Sequence, residues 1–338
     1  MKLKLKKLEE QVVVITGASS GIGLATARMA AKGGARVVLN SRDAADLKQA
    51  AEQIRNDGGQ AIDVVGDVSD FDAMQRLADA AVADFGRFDT WINNAGISIY
   101  GRIEVVTLKD ARRLFETNYW GVVHGTLAAL PQLKKEGGAL INLGSILSDT
   151  GYPLQGHYTA SKHAVKGFTD SLRVELEAEQ APVSVTLIQP TAIDTPYPEH
   201  AKSYLGVEPT HLPPVYAPEV VAEAILNSAE YPERDVLVGG GAKLFDTIER
   251  IAPRLGDRFK QATAIRGQYT DRPDQGTDAL HAPRPGDARV RGSYEGHVMR
   301  SSAYTTVALN PGKALLSLAI AGAAVALLDR SGIFGRGD

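Results

Sequence analysis

Tyr158 and Lys162 stand four residues apart in YTASK, a spacing that puts both side chains on one face of a helix. A free phenol has a pKa near 10 and is a poor acid or base at neutral pH. A lysine cation beside it favours the phenolate and lowers that pKa, bringing a proton donor toward working pH. Ser145 follows the apolar run Ala139–Leu143, thirteen residues before Tyr158, and can hydrogen-bond the same substrate oxygen. As charge builds on a carbonyl oxygen, Ser145 stabilises it and Tyr158 protonates it. Taken singly, Ser145 also reads as a helix cap and Tyr158 as a core aromatic; the chemistry rests on the pattern.

A hydride donor is implied at the other end of the chain. Thr16–Gly23 reads TGASSGIG, after an apolar run and at the start of a helical stretch. Gly17 and Gly21 allow a sharp turn, and Gly23 allows close packing of helix on strand. Such a turn aims backbone N–H groups, that of Ile22 among them, and a helix N-terminus at a pyrophosphate, with Ser19 and Ser20 adding hydroxyls. A nicotinamide dinucleotide would supply the hydride. The second apolar run ends Asn40–Ser41–Arg42. A carboxylate there would hold the 2′-hydroxyl of NAD. Asn40 is neutral, and the fork of Arg42, with Ser41 beside it, pairs instead with a 2′-phosphate, so NADP(H) is preferred over NAD(H). Asp43 opposes that pairing to some extent. Asp67, followed by Val68, is placed to accept from an adenine amino group or to cap a helix with Ser69 and Asp70.

These residues need elements to position them. Short apolar runs recur at Val12–Ile15, Val37–Leu39, Ile62–Val65, Trp91–Ile92, Ala139–Leu143, Val183–Ile188 and Val236–Val238. Each suits a strand covered on both faces. Between them lie helical stretches such as Gly23–Ala31, Ala44–Asn56, Phe71–Phe85 and His163–Glu179, with Asp70 as an N-cap and Gly33 and Gly58 as stops. The alternation predicts an α/β fold, a doubly wound parallel sheet with ligands at the carboxyl ends of its strands.

The 338 residues are 44% hydrophobic and 23% charged, with a net charge of −3. That composition excludes wholesale disorder and does not advertise a nucleic-acid partner. The absence of cysteine excludes disulfides, thiolate metal sites and cysteine nucleophiles, and fits a reducing, cytoplasmic compartment. The seven histidines are scattered, and no metal constellation is expected. Met1–Glu10 lacks the apolar centre of an export signal.

TGASSGIG, Asn93–Asn94–Ala95–Gly96, Asn118 in ETNYWG, Ser145 and Tyr158-x-x-x-Lys162 together resemble the short-chain dehydrogenase/reductase family over roughly residues 9 to 240. The resemblance implies a Rossmann-type catalytic domain and a carbonyl or secondary alcohol substrate. It implies that Lys162 also grips the nicotinamide ribose, that Asn118 holds a water linking Lys162 to solvent, and that Ala95 and Gly96 lie against the cofactor ribose. Asn94 would brace the central sheet. Pro190, Ile193 and Thr195 would form the loop over the nicotinamide, with Thr191 in place of the usual glycine. Dimers or tetramers are common in the family, so a homo-oligomer is implied. Two other readings stay open: a dehydratase or epimerase using the same cofactor, and a cofactor-binding sensor or scaffold without turnover.

Residues 196–216 form a long connection of the kind that serves as a lid. Its Tyr197, Tyr204, Leu205 and Tyr216, with Tyr100, Tyr152 and Leu154, suggest an apolar substrate pocket, or simply pack the loop. The catalytic domain is expected over 1–265 and a Gly/Pro/Arg-rich linker over 266–312. A short apolar helix and tail follow over 313–338. The run Ala314–Leu328 either associates with a membrane or docks on the domain or a partner subunit; it falls short of the roughly 20 residues a span needs.

Overall fold

The computed structural model describes residues 3–240 and 251–309. Seven strands form its central sheet: β1 (Val12–Thr16), β2 (Arg36–Ser41), β3 (Gln60–Val65), β4 (Thr90–Asn93), β6 (Gly138–Leu143), β7 (Val183–Pro190) and β12 (Asp235–Val238). All pair in parallel, in the order β3-β2-β1-β4-β6-β7-β12. β1 explains why a continuous apolar run was needed. Val13 and Ile15 point into one core and Val12 and Val14 into the other, all four fully buried.

One face carries α1 (Gly21–Lys32), α2 (Ala44–Asn56) and α8 (Pro218–Glu230), through residues such as Leu24, Leu47 and Ile225. The other carries α3 (Phe71–Phe85), α5 (Gly121–Glu136) and α6 (Gly156–Ala178), through Met74, Leu133 and Leu172. Asp70 caps α3 as expected, accepting from Asp72 N. Asp43 caps α2 by accepting from Asp46 N, so its carboxylate is engaged in the helix start. α6 begins at Gly156, seven residues before the expected His163, and so includes Tyr158 and Lys162. Helix α4 (Leu108–Phe115) runs into a π-helical turn, Glu116–Trp120, that holds Asn118.

Small sheets build the rim of the cleft at the carboxyl end of the main sheet. β5 (Ile99–Tyr100) pairs with β9 (Lys202–Ser203), just after the short helix α7 (Tyr197–His200). β11 (Val215–Tyr216) lies between β8 (Ala192–Ile193) and β14 (Val298–Met299), and β10 (Val207–Pro209) pairs antiparallel with β13 (Tyr269–Pro273). Among the described residues two more helices follow, α9 (Pro253–Thr263) and α10 (Ala303–Leu309).

The expected linker is corrected by these pairings. From Arg266 to Leu309 the chain lies on the domain: β13 and β14 join rim sheets, Leu280 and Gln268 are buried, and Thr305 accepts a hydrogen bond from Gly239 N. The contacts run through backbone groups and charges, which leave no apolar period in the sequence. Ala314–Leu328 lies outside the described residues. Among the described residues, no helix is long and apolar enough to cross a membrane.

Candidate active site

Strand order reverses between β2 and β4 on either side of β1, and the crevice opens there. The turn after β1 forms one wall. Gly17 has φ +65°, and a Cβ on it would stand 2.8 Å from Ala95 Cα. Gly23 does not line the crevice; a Cβ there would stand 2.1 Å from the Gly17 carbonyl oxygen, so it lets α1 start against the turn. Asn94 fixes this arrangement, its Nδ2 donating to the carbonyls of Thr16 and Gly17 at 2.8 and 3.0 Å. The expected brace is therefore between β4 and the glycine turn. The cleft has a volume of about 1050 Å³. Gly17, Ser19, Ser20, Gly21, Ile22, Ser41, Arg42, Asp67, Val68, Asn94, Ala95, Gly96, Pro190, Ile193 and Thr195 all line it.

Ser145, Tyr158 and Lys162 come together in the same cleft. Ser145 follows β6 and caps the short turn Ile146–Ser148, accepting from Leu147 N, so the capping role and the place in the cleft coexist. Lys162 Nζ is buried, donates to the Leu143 carbonyl at 2.7 Å and lies 5.8 Å from the Tyr158 ring centre. Burial pulls its pKa down to about 8. The Tyr158 phenol is pushed up, not down, because burial outweighs the opposing hydrogen bonds from Tyr197 and Ser145. The expected lowering by Lys162 is therefore corrected: the lysine is close, but loss of water dominates.

Asn118 does not reach the cleft; its amide closes on Ile97, accepting from Ile97 N at 2.8 Å and donating to Ile97 O at 2.9 Å. Nδ2 also donates to Ser161 Oγ, which ties the turn after β4 to the helix that carries Tyr158 and Lys162. Asp67 accepts from Ser69 and from Arg113, as a turn-capping carboxylate would. Thr191 sits without a left-handed backbone and bonds the Val238 carbonyl through both N and Oγ1 at 3.1 Å. The replaced glycine therefore costs no backbone strain here.

Of the aromatic residues read from the sequence, Tyr100, Tyr152 and Tyr197 line the cleft. Tyr204 packs over Gly101 and bonds Asp110, while Tyr216 enters the core and accepts from Gly240 N. The sequence reading missed much of the outer wall: Ile146, Leu147, His211, Leu212, Leu255 and Phe259. Burial draws the His211 pKa down to about 4, so this histidine is neutral at working pH.

The model of the family described as short chain dehydrogenase matches residues 11–204. This chain belongs to that family. It is an NAD(P)-dependent oxidoreductase. The dehydrogenase is 47% identical over 315 residues, 92% of this chain and 88% of the other, to the "Uncharacterized oxidoreductase YxnA" of Bacillus subtilis. Among solved structures it resembles a Burkholderia phymatum short chain dehydrogenase/reductase in complex with NAD, at a TM-score of 0.67 and 26% identity, covering 74% of this chain and 96% of that one. It also resembles an alcohol dehydrogenase from Thermococcus sibiricus complexed with 5-hydroxy-NADP, at 0.60 and 25%, covering 68% and 95%. The cleft of the dehydrogenase suits a dinucleotide: a glycine turn with no room for side chains, the N-terminus of α1 and a run of hydroxyls lie along one wall.

Proposed function

We propose that this dehydrogenase transfers hydride between NADP(H) and an apolar ketone, aldehyde or secondary alcohol. The observation that carries the reading is the meeting of Ser145, Tyr158 and Lys162 in a cleft whose outer wall is Tyr100, Tyr152, Leu212, Leu255 and Phe259. Gly21, Ile22, Ser19 and Ser20 would hold the pyrophosphate, Ser41 and Arg42 the 2′-phosphate, Ala95 and Gly96 the ribose, and Pro190, Ile193 and Thr195 the nicotinamide. A bound nicotinamide supplies the hydride. Ser145 and Tyr158 then bind the substrate oxygen, and Tyr158 gives its proton to the forming alkoxide. Lys162 keeps a positive charge beside the phenolate left behind. Asn118 acts indirectly, by holding Ile97 and Ser161 in place.

Two results are expected. NADPH should bind at least tenfold more tightly than NADH, and Arg42→Ala should remove most of that margin; paired fluorescence titrations measure both, and tighter NADH binding would refute the preference. The pH dependence has a definite sign. Lys162 is charged below about pH 8 and neutral above it, whereas Tyr158 keeps its proton throughout that range. Reductive kcat should be level through neutral pH and fall above about 8, as the cation that supports the phenolate disappears. In Lys162→Met, with a low residual rate, that inflection should vanish; its persistence would assign it to another group.

A further inference from the structure

The stretch 278–291 crosses the cofactor cleft and places backbone carbonyls on donors that a dinucleotide's phosphates need. At one end, Arg42 donates through Nη2 to the carbonyl of Ala279 and through Nη1 to that of Leu280 at 3.4 Å. Arg113 Nε donates to the same Leu280 carbonyl at 3.1 Å. At the other end, the N–H of Gly21, in the first turn of α1, donates to the carbonyl of Arg289 at 3.0 Å. A carbonyl oxygen is a weaker partner than a phosphate oxygen for both donors, because it has no net charge.

Further contacts, mostly of side chains, moor the stretch. Asp46, on α2, accepts from Gly286 N and Asp287 N at 3.2 and 2.9 Å. Asp287 pairs with His200 at 2.8 Å and with Arg289 at 3.1 Å, and Arg289 also pairs with Glu199. Ala279 N donates to the His200 carbonyl, and Asp278 pairs with Lys202 at 3.0 Å. The moorings on Glu199, His200 and Lys202 fall in α7 and β9, next to Tyr197, which packs edge-on against Tyr158 at 6.0 Å between ring centres. The strap is therefore built, not incidental: its own Leu280 is fully buried, in the cluster that also holds Ile97, Leu114 and Tyr158.

We propose that residues 278–291 are an internal competitor for the cofactor, holding Gly21 and Arg42 with main-chain carbonyls until the cofactor's phosphates displace them. This rests on the reading of Arg42 as the partner of the 2′-phosphate. NADPH displaces the strap at both ends, and NADH only at Gly21. The strap thus lowers NADPH affinity more than NADH affinity and narrows the preference that Arg42 alone would give.

Asp46→Ala and Asp287→Ala remove moorings without touching the cleft donors. Titrated with NADPH and NADH as full-length folded proteins, each should bind NADPH at least fivefold more tightly than the parent, with NADH tightened by a smaller factor. Unchanged or weaker NADPH binding would overturn the proposal and make the strap a clamp over bound cofactor. Should either variant fail to fold, the strap can be watched directly. The chain has no cysteine, so Pro285→Cys carries a nitroxide at one exposed position. Its mobility should rise at saturating NADPH; a label that stays fixed would equally overturn the proposal. The 2′-phosphate reading is judged separately, by Arg42→Ala, in which both cofactors displace the strap only at Gly21. If the ratio of NADPH to NADH affinity stays at the parent's value in that variant, the reading of Arg42 fails whatever the strap does.

Discussion

Tyr158→Phe should lower kcat by at least 10³-fold while the affinity for cofactor changes less than about threefold, within the range that positioned acid–base groups contribute. The ring is buried beside Lys162 and Tyr197, so phenylalanine fills the same space and the packing survives. What is lost is the one proton of the group that can pass to the substrate oxygen. Ser145 keeps its place after β6 and still offers a hydrogen bond, but its hydroxyl cannot leave a stabilised anion behind at neutral pH. Turnover rates and NADPH titrations on the same preparation separate chemistry from binding. A variant that keeps a tenth of the parent's kcat would remove Tyr158 from the mechanism.

Gly23→Ala should damage both fold and cofactor binding. The added methyl would meet the Gly17 carbonyl oxygen at 2.1 Å and Asn94 Nδ2 at 2.6 Å. Neither neighbour has slack. Gly17 is in a left-handed turn against Ala95, and Asn94 Nδ2 already bonds two carbonyls. Relief requires α1 to back away from β1, which opens the very turn that would hold the pyrophosphate. Overpacking of this kind costs about 1–3 kcal/mol. A lowered Tm should therefore accompany at least a tenfold loss of NADPH affinity. Thermal unfolding with and without NADPH measures both; a variant with the parent's Tm and affinity would show that the contact relaxes freely.

The central sheet was legible because its strands are covered on both faces. Val12–Ile15 has to be apolar throughout, and no other short element explains such a run. The motif residues were legible for a different reason: each carries its chemistry in its type and local spacing, as Tyr158 and Lys162 do. The start of α6 was not. Gln155 makes no side-chain cap, so nothing in the sequence marks Gly156 as a helix start. The outer wall of the cleft was hidden too. Leu255 and Phe259 face it only because α9 returns to the loop at Thr150–Gly151, where Lys260 bonds the Gly151 carbonyl, a tertiary fact with no local signature. The strap was hidden most completely. Its phosphate-site contacts are main-chain carbonyls, and its charges find partners far away in sequence, as Arg289 finds Glu199. A Gly- and Pro-rich composition therefore read as a linker. The direction of the Tyr158 shift was missed because spacing reveals the nearby lysine but not the exclusion of water.

In the proposed reaction a hydride passes from NADPH to the carbonyl carbon of an apolar substrate, with the proton supplied by Tyr158. The most direct test uses NADPH deuterated at the transferring position of the nicotinamide, with a bulky apolar ketone as the oxidant. Mass spectrometry of the alcohol formed should find one deuterium on the carbinol carbon with the parent enzyme and no alcohol with Tyr158→Phe. Cofactor recovered unoxidised with no alcohol across a panel of such ketones would contradict the claim, as would an altered substrate carrying no deuterium.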